Sequence, residues 1–313
     1  MAKKIKVGVV GVGHLGKEHA RIYSTLPEAE LVGICDQDPA KADKAKELKT
    51  AYYKDFRDLI GKVEAVSIAT PTSTHYEVAK EFLSAGIHTL VEKPITLRLN
   101  EANELIELSK KHNCALQVGH IERYNPGFKR VEEIANNIRF FEIHRLGPFT
   151  GRINDCGVVL DLMIHDLDIV LGLVKSDVVS FDGIGVNVLT PFEDLANVRL
   201  KFKNGAEANI TASRLTFEKQ RKIRIFQEDA YISIDYGNQT GKIIRKIGNE
   251  ISQESIEIEK VEPLKEELKS FLNGVLTGES IGKPDTAARD ALKLALEIVR
   301  VIQENHPKPS VKP

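Results

Sequence analysis

The chain has 313 residues, of which 42% are apolar, enough for a packed core and too many for a disordered chain. The length alone predicts about two domains. Lys and Arg (44) nearly balance Asp and Glu (45), and no long single-sign block occurs, which argues against a nucleic-acid-coating surface. The three cysteines, Cys35, Cys114 and Cys156, have no zinc or disulfide spacing and predict reduced thiols in a cytoplasmic protein. The basic start and apolar run of "MAKKIKVGVVGVG" could mimic a signal peptide, but glycines break the run and charged residues follow. No stretch reaches the roughly 18 apolar residues of a membrane helix, so no membrane partner is expected.

Strand and helix alternate over the first 120 residues. Residues 4–10, 29–35, 63–69, 87–92 and 114–120 are short apolar runs that predict strands. Residues 14–26, 39–48, 74–86 and 99–112 carry helical patterns between them. Continuous apolar strands separated by helices predict a doubly wound parallel sheet covered on both faces. Residues 1–120 are therefore expected to form one domain and 121–313 a second.

The pattern changes after about residue 138. Residues 159–171, "VLDLMIHDLDIVL", read as an apolar helix carrying Asp161, His165, Asp166 and Asp168. Val198, Leu200 and Phe202 alternate with Arg199, Lys201 and Lys203 up to Asn204-Gly205, a strong hairpin signal, and Ala206, Ala208 and Ile210 resume the alternation. Residues 221–235 predict another hairpin turning at Glu228-Asp229. The expectation is an α+β domain with an open-faced, mostly antiparallel sheet, whose other face meets solvent, a helix or another subunit. Two amphipathic helices close the chain. One has Leu264, Leu268, Phe271, Leu272 and Val275 at helical spacing; the other has Ala288, Ala291, Leu292, Ala295, Leu296, Val299 and Ile302. Pro307 and Pro309 end the second of these.

Gly11-x-Gly13-x-x-Gly16 follows the first strand and opens the first helix, with Asp36 at the end of the second strand. That context is the dinucleotide-binding fingerprint of a Rossmann domain. Gly11 permits the tight turn, Gly13 lets backbone approach a pyrophosphate, and Gly16 lets helix and strand pack closely. The helix N-terminus favours an anion. Asp36 can accept from both ribose hydroxyls and would repel a 2′-phosphate, so NAD is expected over NADP. An ordinary strand-end carboxylate is the plainer alternative for Asp36. Thr70, Pro71, Thr72 and His75 follow the third strand at the ligand-binding edge, where Ser73 or Thr74 could equally cap the next helix.

"VEKP" (91–94) ends another strand on that edge and aims Lys93 toward the nicotinamide; a half-buried lysine can act as acid, base or donor. A loop lysine at the surface is the plainer alternative. In the helix, Asp161, His165 and Asp168 fall within roughly 60° of one another at ~100° per residue. This narrow polar stripe suits a histidine general base with Asp161 orienting it or contacting substrate. Two alternatives stay open, a satisfied core histidine and a metal site, although no nearby Cys/His set completes one. Asp166 lies off the stripe, and the sequence reveals no partner for it.

Together "GVGHLG", Asp36, "ATPTSTH", "EKP" and "DLMIH" resemble the glucose–fructose oxidoreductase / inositol dehydrogenase / MocA family over nearly the whole chain. The resemblance implies a Rossmann domain followed by an open-faced sheet domain, with the active site between them and Lys93, Asp161 and His165 as catalytic set. It also implies cofactor contacts from Gly11, Gly13, His14, Leu15, Gly16, Asp36, Thr70, Pro71, Thr72, His75, Glu92, Lys93 and Glu122. "VGHIERYNPGF" (118–128) and "GVVLDLMIHDLDIV" (157–170) look like the branch that acts on UDP-linked N-acetyl sugars such as UDP-N-acetylglucosamine. In that branch a C3 hydroxyl becomes a ketone, which feeds 3-amino sugars for lipid A. Glu122, Arg123, Tyr124 and Asn125 would then line the cleft, with Arg123 a candidate substrate contact. Arg145 and Arg152 would neighbour a diphosphate or the cofactor, or else form ordinary salt bridges. Free sugars or inositols are alternative substrates, and a redox-neutral glycosidase or lyase that retains NAD is an alternative reaction. A homodimer or homotetramer through the open sheet face is expected.

Overall fold

A computed structural model describes residues 3–151 and 155–305. Arg152, expected near substrate, lies outside the described residues, as do Pro307 and Pro309. The chain forms two compact units, Met1–Ile121 with Glu262–Arg289, and Glu122–Val261 with Asp290–Pro313.

In chain order the first unit contains β1 (Ile5–Val10), α1 (Gly16–Tyr23), β2 (Ala29–Cys35), α2 (Ala42–Glu47), β3 (Ala51–Tyr53), β4 (Ala65–Ile68), α3 (His75–Ser84), β5 (His88–Glu92), α4 (Leu99–Lys111) and β6 (Leu116–Gly119). The six strands pair in parallel in the order β3-β2-β1-β4-β5-β6. The order reverses between β1 and β4, so a crevice opens at the carboxyl ends of these strands. Five of the strands match the apolar runs. β3 escaped because it is a three-residue edge strand with an exposed first residue. The helix expected over 39–48 divides, because the Asp38 side chain caps a 3₁₀ turn at Pro39–Lys41 before α2 begins.

The second unit continues with α5 (Pro126–Ile134), β7 (Ile138–Leu146), a π-helical turn (Val159–Met163) running into α6 (Ile164–Val174), and β8 (Val178–Val186). Then come β9 (Leu195–Phe202), β10 (Glu207–Ser213), β11 (Gln220–Gln227), β12 (Ala230–Asp235), β13 (Thr240–Ile247) and β14 (Glu250–Ile256); next in the chain are α7 (Pro263–Thr277), which belongs to the first unit, and α8 (Thr286–Asn305). The sheet order is β14-β13-β12-β11-β7-β10-β9-β8. Among the described residues only the central pair β7–β10 of this sheet is parallel. Both expected hairpins form, with Gly205 at φ +86° in one turn and the other between Gln227 and Ala230.

Alternation decides the two faces of this sheet. Phe141, Ile143, Leu200, Ile210, Ile223, Ile225 and Ile232 are buried on one side. On the other, half-buried or exposed residues form side-chain ladders: Phe140, Phe226 and Tyr231 stack in sequence, and Arg224 pairs with Glu142.

The two closing helices serve different units. Leu264, Leu268, Phe271, Leu272 and Val275 of α7 join Ile5, Val7, Ile22, Tyr23 and Leu26 in the first unit's core. Each such side chain contributes about 1.5–3 kcal/mol on burial. In α8, Ala291, Leu292, Ala295, Ile298 and Ile302 are buried, whereas Leu296 and Val299 of the expected stripe are half-buried. Ile302 packs on Gly185, where a Cβ would come within 2.5 Å of it.

Candidate active site

The dinucleotide end of the site is built by β1, β2 and the turn before α1. Gly11 has φ +81°, and a Cβ there would sit 2.7 Å from the Ala69 carbonyl oxygen. A Cβ on Gly16 would lie 1.8 Å from the Gly11 carbonyl oxygen. Gly13 differs: a Cβ would meet nothing within 4 Å. Packing inside the unit therefore does not demand glycine there, whereas close approach by a pyrophosphate does. Asp36 Oδ2 accepts the Val12 N–H (2.8 Å) and Oδ1 the Asp38 N–H (3.0 Å), leaving lone pairs for ribose hydroxyls. Asp36 lines a cavity of about 870 Å³ with Gly11, Gln37, Phe56, Thr70 and Pro71. These residues fit NAD. His14 is exposed and Leu15 half-buried beside the glycines. Burial pushes the Cys35 thiol, next to Asp36, up to about 12, so it is an inert wall residue.

Two further loops meet at the strand ends. Thr70 and Thr72 are half-buried and Pro71 is exposed. His75 is buried, with Nε2 3.0 Å from the Thr70 carbonyl oxygen and Nδ1 2.9 Å from that of Pro94. It thus ties the threonine loop to the EKP loop from behind. Lys93 is half-buried, and its peptide bond to Pro94 is cis. Glu92 points inward: Oε1 meets His19 Nε2 of α1 at 3.0 Å, and Oε2 accepts the Lys93 N–H at 3.3 Å. A Cβ on Gly119 would come 2.7 Å from Glu92 Oε2, so β6 makes room for this carboxylate.

In the second unit, Asp161 lies within the π turn and His165 one residue into α6. The sequence predicted a regular α-helix throughout. The wider turn alters the spacing of Asp161 against His165, and π turns recur at functional sites. Asp161 is half-buried and His165 is 8% exposed. Asp168 is 6% exposed and takes a two-pronged ion pair from Arg123, 2.7 Å at Nε. Arg123, expected to contact substrate, thus anchors the 3₁₀ turn at Ile121–Tyr124 to α6.

Asp166 also finds its partner. Arg145 Nε and Nη2 fork onto its two oxygens (2.8 and 2.7 Å), and Nη1 reaches Glu122 at 2.8 Å. Burial works against the charge on Arg145, but Asp166 and Glu122 outweigh it and raise its pKa. On Asp166 burial outweighs Arg145 and raises the carboxyl pKa, yet the two-bond fork fits an ionised pair. Arg145, expected beside a diphosphate or the cofactor, is 3% exposed and fully engaged in this internal network. Glu122, expected at the cofactor, also accepts from Asn125 Nδ2 (3.3 Å); Asn125 is buried and caps α5 through Gly127 N–H, while Tyr124 is half-buried.

The sequence did not mark the residues that hold the start of this helix. The Glu193 carbonyl accepts the Val158 N–H (2.9 Å), and its carboxylate the Val159 N–H (3.2 Å). A Cβ on Gly157 would lie 2.0 Å from that carboxylate. Next to it, Asp194 accepts three backbone N–H groups from residues 188–190 and the Nε of Arg214, whose Nη1 reaches the Cys156 carbonyl. Burial opposes the Asp194 charge, but these donors hold its carboxyl well below the usual range. The available signal was two adjacent acids, Glu193-Asp194, immediately before a strand of alternating apolar and polar residues. Among the described residues no group of three or more His, Cys, Asp or Glu could hold a metal ion, and no helix is long and apolar enough to cross a membrane.

Residues 5–120 match the NAD-binding Rossmann domain of the GFO/IDH/MocA oxidoreductase family, and residues 138–233 match the C-terminal domain of that family. The UDP-N-acetylglucosamine 3-dehydrogenase of Acidithiobacillus ferrooxidans is 35% identical over 302 residues, 94% of this chain and 96% of that protein. A solved structure of that enzyme superposes with a TM-score of 0.91, covering 97% of this chain and 99% of the other. The myo-inositol 2-dehydrogenase of Thermotoga maritima is 28% identical over 335 residues, 98% of each chain. The chain belongs to the GFO/IDH/MocA family. It is an NAD-dependent dehydrogenase.

Proposed function

We propose that the protein oxidises the C3 hydroxyl of UDP-N-acetylglucosamine or a close UDP-N-acetyl sugar to a ketone. The observation that carries this reading is the 35% identity, sustained over 94% of the chain, to an enzyme of that name. The "EKP" and "DLMIH" segments of this chain supply the acid–base groups such an oxidation needs. NAD, when bound, supplies the hydride acceptor. His165 takes the hydroxyl proton, Lys93 donates to the same oxygen and lowers the cost of its developing charge, and Asp161 orients the histidine. Asp168 and Asp166 do not share this work; their ion pairs with Arg123 and Arg145 hold α6 in place. The ketone product is an electrophile suited to an amine-transferring enzyme.

The test is NADH absorbance with NAD and a panel of UDP-sugars, free sugars and inositols. A rise with UDP-N-acetylglucosamine is expected. A rise only with free sugars or inositols would overturn the substrate, and no net rise with any would point to redox-neutral chemistry. On the active substrate, His165→Ala and Lys93→Met should each lower kcat by roughly 10²–10⁴-fold; an undiminished rate removes that residue from the mechanism. The assembly proposed is a homodimer or homotetramer through the open sheet face.

A further inference from the structure

A buried polar pair in the first unit ends at the backbone of Lys93. His19, in the first turn of α1, is fully buried, and Glu92, the last residue of β5, is 7% exposed. His19 Nε2 meets Glu92 Oε1 at 3.0 Å, and the other carboxylate oxygen, Oε2, accepts the Lys93 N–H at 3.3 Å. An ionised carboxylate only accepts, so Nε2 carries the hydrogen. The two oxygens of Glu92 thus join α1 to the backbone of the lysine.

Docking of α1 does not require this pair. Ala20, Ile22 and Tyr23 of the same helix are already buried in the core. Tyr23, four residues beyond His19 and so on the same helical face, makes a polar tie of its own: its hydroxyl lies 2.8 Å from Ser67 Oγ of β4. A buried carboxylate is costly to desolvate and adds little net stability even when paired. The sheet nonetheless makes room for it. Gly119 is the strand partner of Glu92, and a Cβ there would come 2.7 Å from Oε2.

What the pair adds, and apolar packing cannot, is direction. His19 fixes the Glu92 carboxylate in one orientation, and the carboxylate holds the peptide N–H of Lys93. Beyond the lysine, His75 Nδ1 holds the Pro94 carbonyl at 2.9 Å. Because α1 opens at Gly16, the lysine is braced against the helix whose N-terminus would face the pyrophosphate.

We infer that His19, acting through Glu92, is a positioning residue that holds Lys93 in place relative to the dinucleotide turn. This role rests on the proposed part of Lys93 as donor to the reacting oxygen. The test crosses His19→Ala, His19→Gln, Glu92→Gln and Tyr23→Phe with Lys93→Met. It measures kcat and KM with NAD and UDP-N-acetylglucosamine, NAD affinity by fluorescence, and Tm. Acetic anhydride labelling of Lys93, followed by peptide mass spectrometry against the exposed Lys111, needs no substrate. With Lys93 present, His19→Ala should lower kcat by about 10- to 100-fold, the cost of misplacing a catalytic group, and leave NAD affinity little changed. With Lys93→Met it should cost nothing further, because the group it positions is gone. His19→Gln, whose amide N–H can reach the same oxygen, should recover most of the rate. Glu92→Gln can accept from only one of the two donors and should fall between wild type and His19→Ala. Tyr23→Phe should lower Tm and leave kcat unchanged, as befits a tie that only docks the helix. Lys93 should label faster in His19→Ala and Glu92→Gln, but not in His19→Gln or Tyr23→Phe. If His19→Ala does not fold, Glu92→Gln carries the same cycle. An unchanged kcat, an equal loss with and without Lys93, or unchanged labelling in both His19→Ala and Glu92→Gln would overturn the positioning role and leave Lys93 in the mechanism. A full rate in Lys93→Met overturns the role of Lys93 and this one with it. A wild type inactive on UDP-N-acetylglucosamine overturns the substrate, and the labelling then decides the positioning role alone.

Discussion

Asp36 serves two partners with one carboxylate. It fastens the glycine turn through the Val12 N–H and faces the 870 Å³ cavity where the ribose hydroxyls would lie. Asp36→Ala should therefore weaken NAD strongly and narrow the margin over NADP by removing a repelling charge. Fluorescence titration with both cofactors checks this; a substitution that weakens both equally would reduce Asp36 to a loop brace. The glycines and Asp36 were legible in the sequence because each answers a local backbone or ligand demand at a fixed spacing. Asp166, Arg123 and Arg145 were not, since an ion pair between residues 21 or 45 positions apart leaves no periodic trace. Once folded, those long-range pairs explain why an apolar helix tolerates so many acids.

At the scale of elements, the helix that carries Asp161 and His165 was legible as a helix but not in its winding. Its π turn depends on contacts that sequence periodicity does not report, including the cap from Glu193 and the room left by Gly157. Glu193→Ala removes an acceptor at the helix N-terminus, a loss of about 0.5–2 kcal/mol. The expected outcome is a lower kcat with NAD affinity unchanged, while Glu193→Gln, which keeps an oxygen acceptor, recovers most of the rate. Stopped-flow turnover and cofactor titration separate the two; equal damage from Gln and Ala would mean that the charge matters rather than the cap. β3 and the 3₁₀ turn at Pro39–Lys41 illustrate the opposite limit, elements too short for periodicity to register.

For the whole molecule, the change from parallel to antiparallel grammar near residue 138 was readable, because covered and half-covered strands differ in composition. The open face of the eight-stranded sheet bears Phe140, Phe226 and Tyr231 as a stacked ladder, with Phe226 38% exposed. If copies meet there, Phe226→Glu should convert the assembly to a smaller species, read as mass by light scattering. An unchanged mass would move the contact elsewhere. Less readable was the destination of α7, since an amphipathic stripe shows that a helix is buried without showing on what. It buries Leu268, Phe271 and Leu272 against β1 and α1, more than two hundred residues earlier in the chain. The consequence is one of timing. During synthesis the first unit's sheet strands emerge early, but the helix that completes this core emerges only after every strand of the second sheet. Until then the apolar surface of β1 and α1 awaits its last layer. The part of the protein made first is thus among the last to be finished.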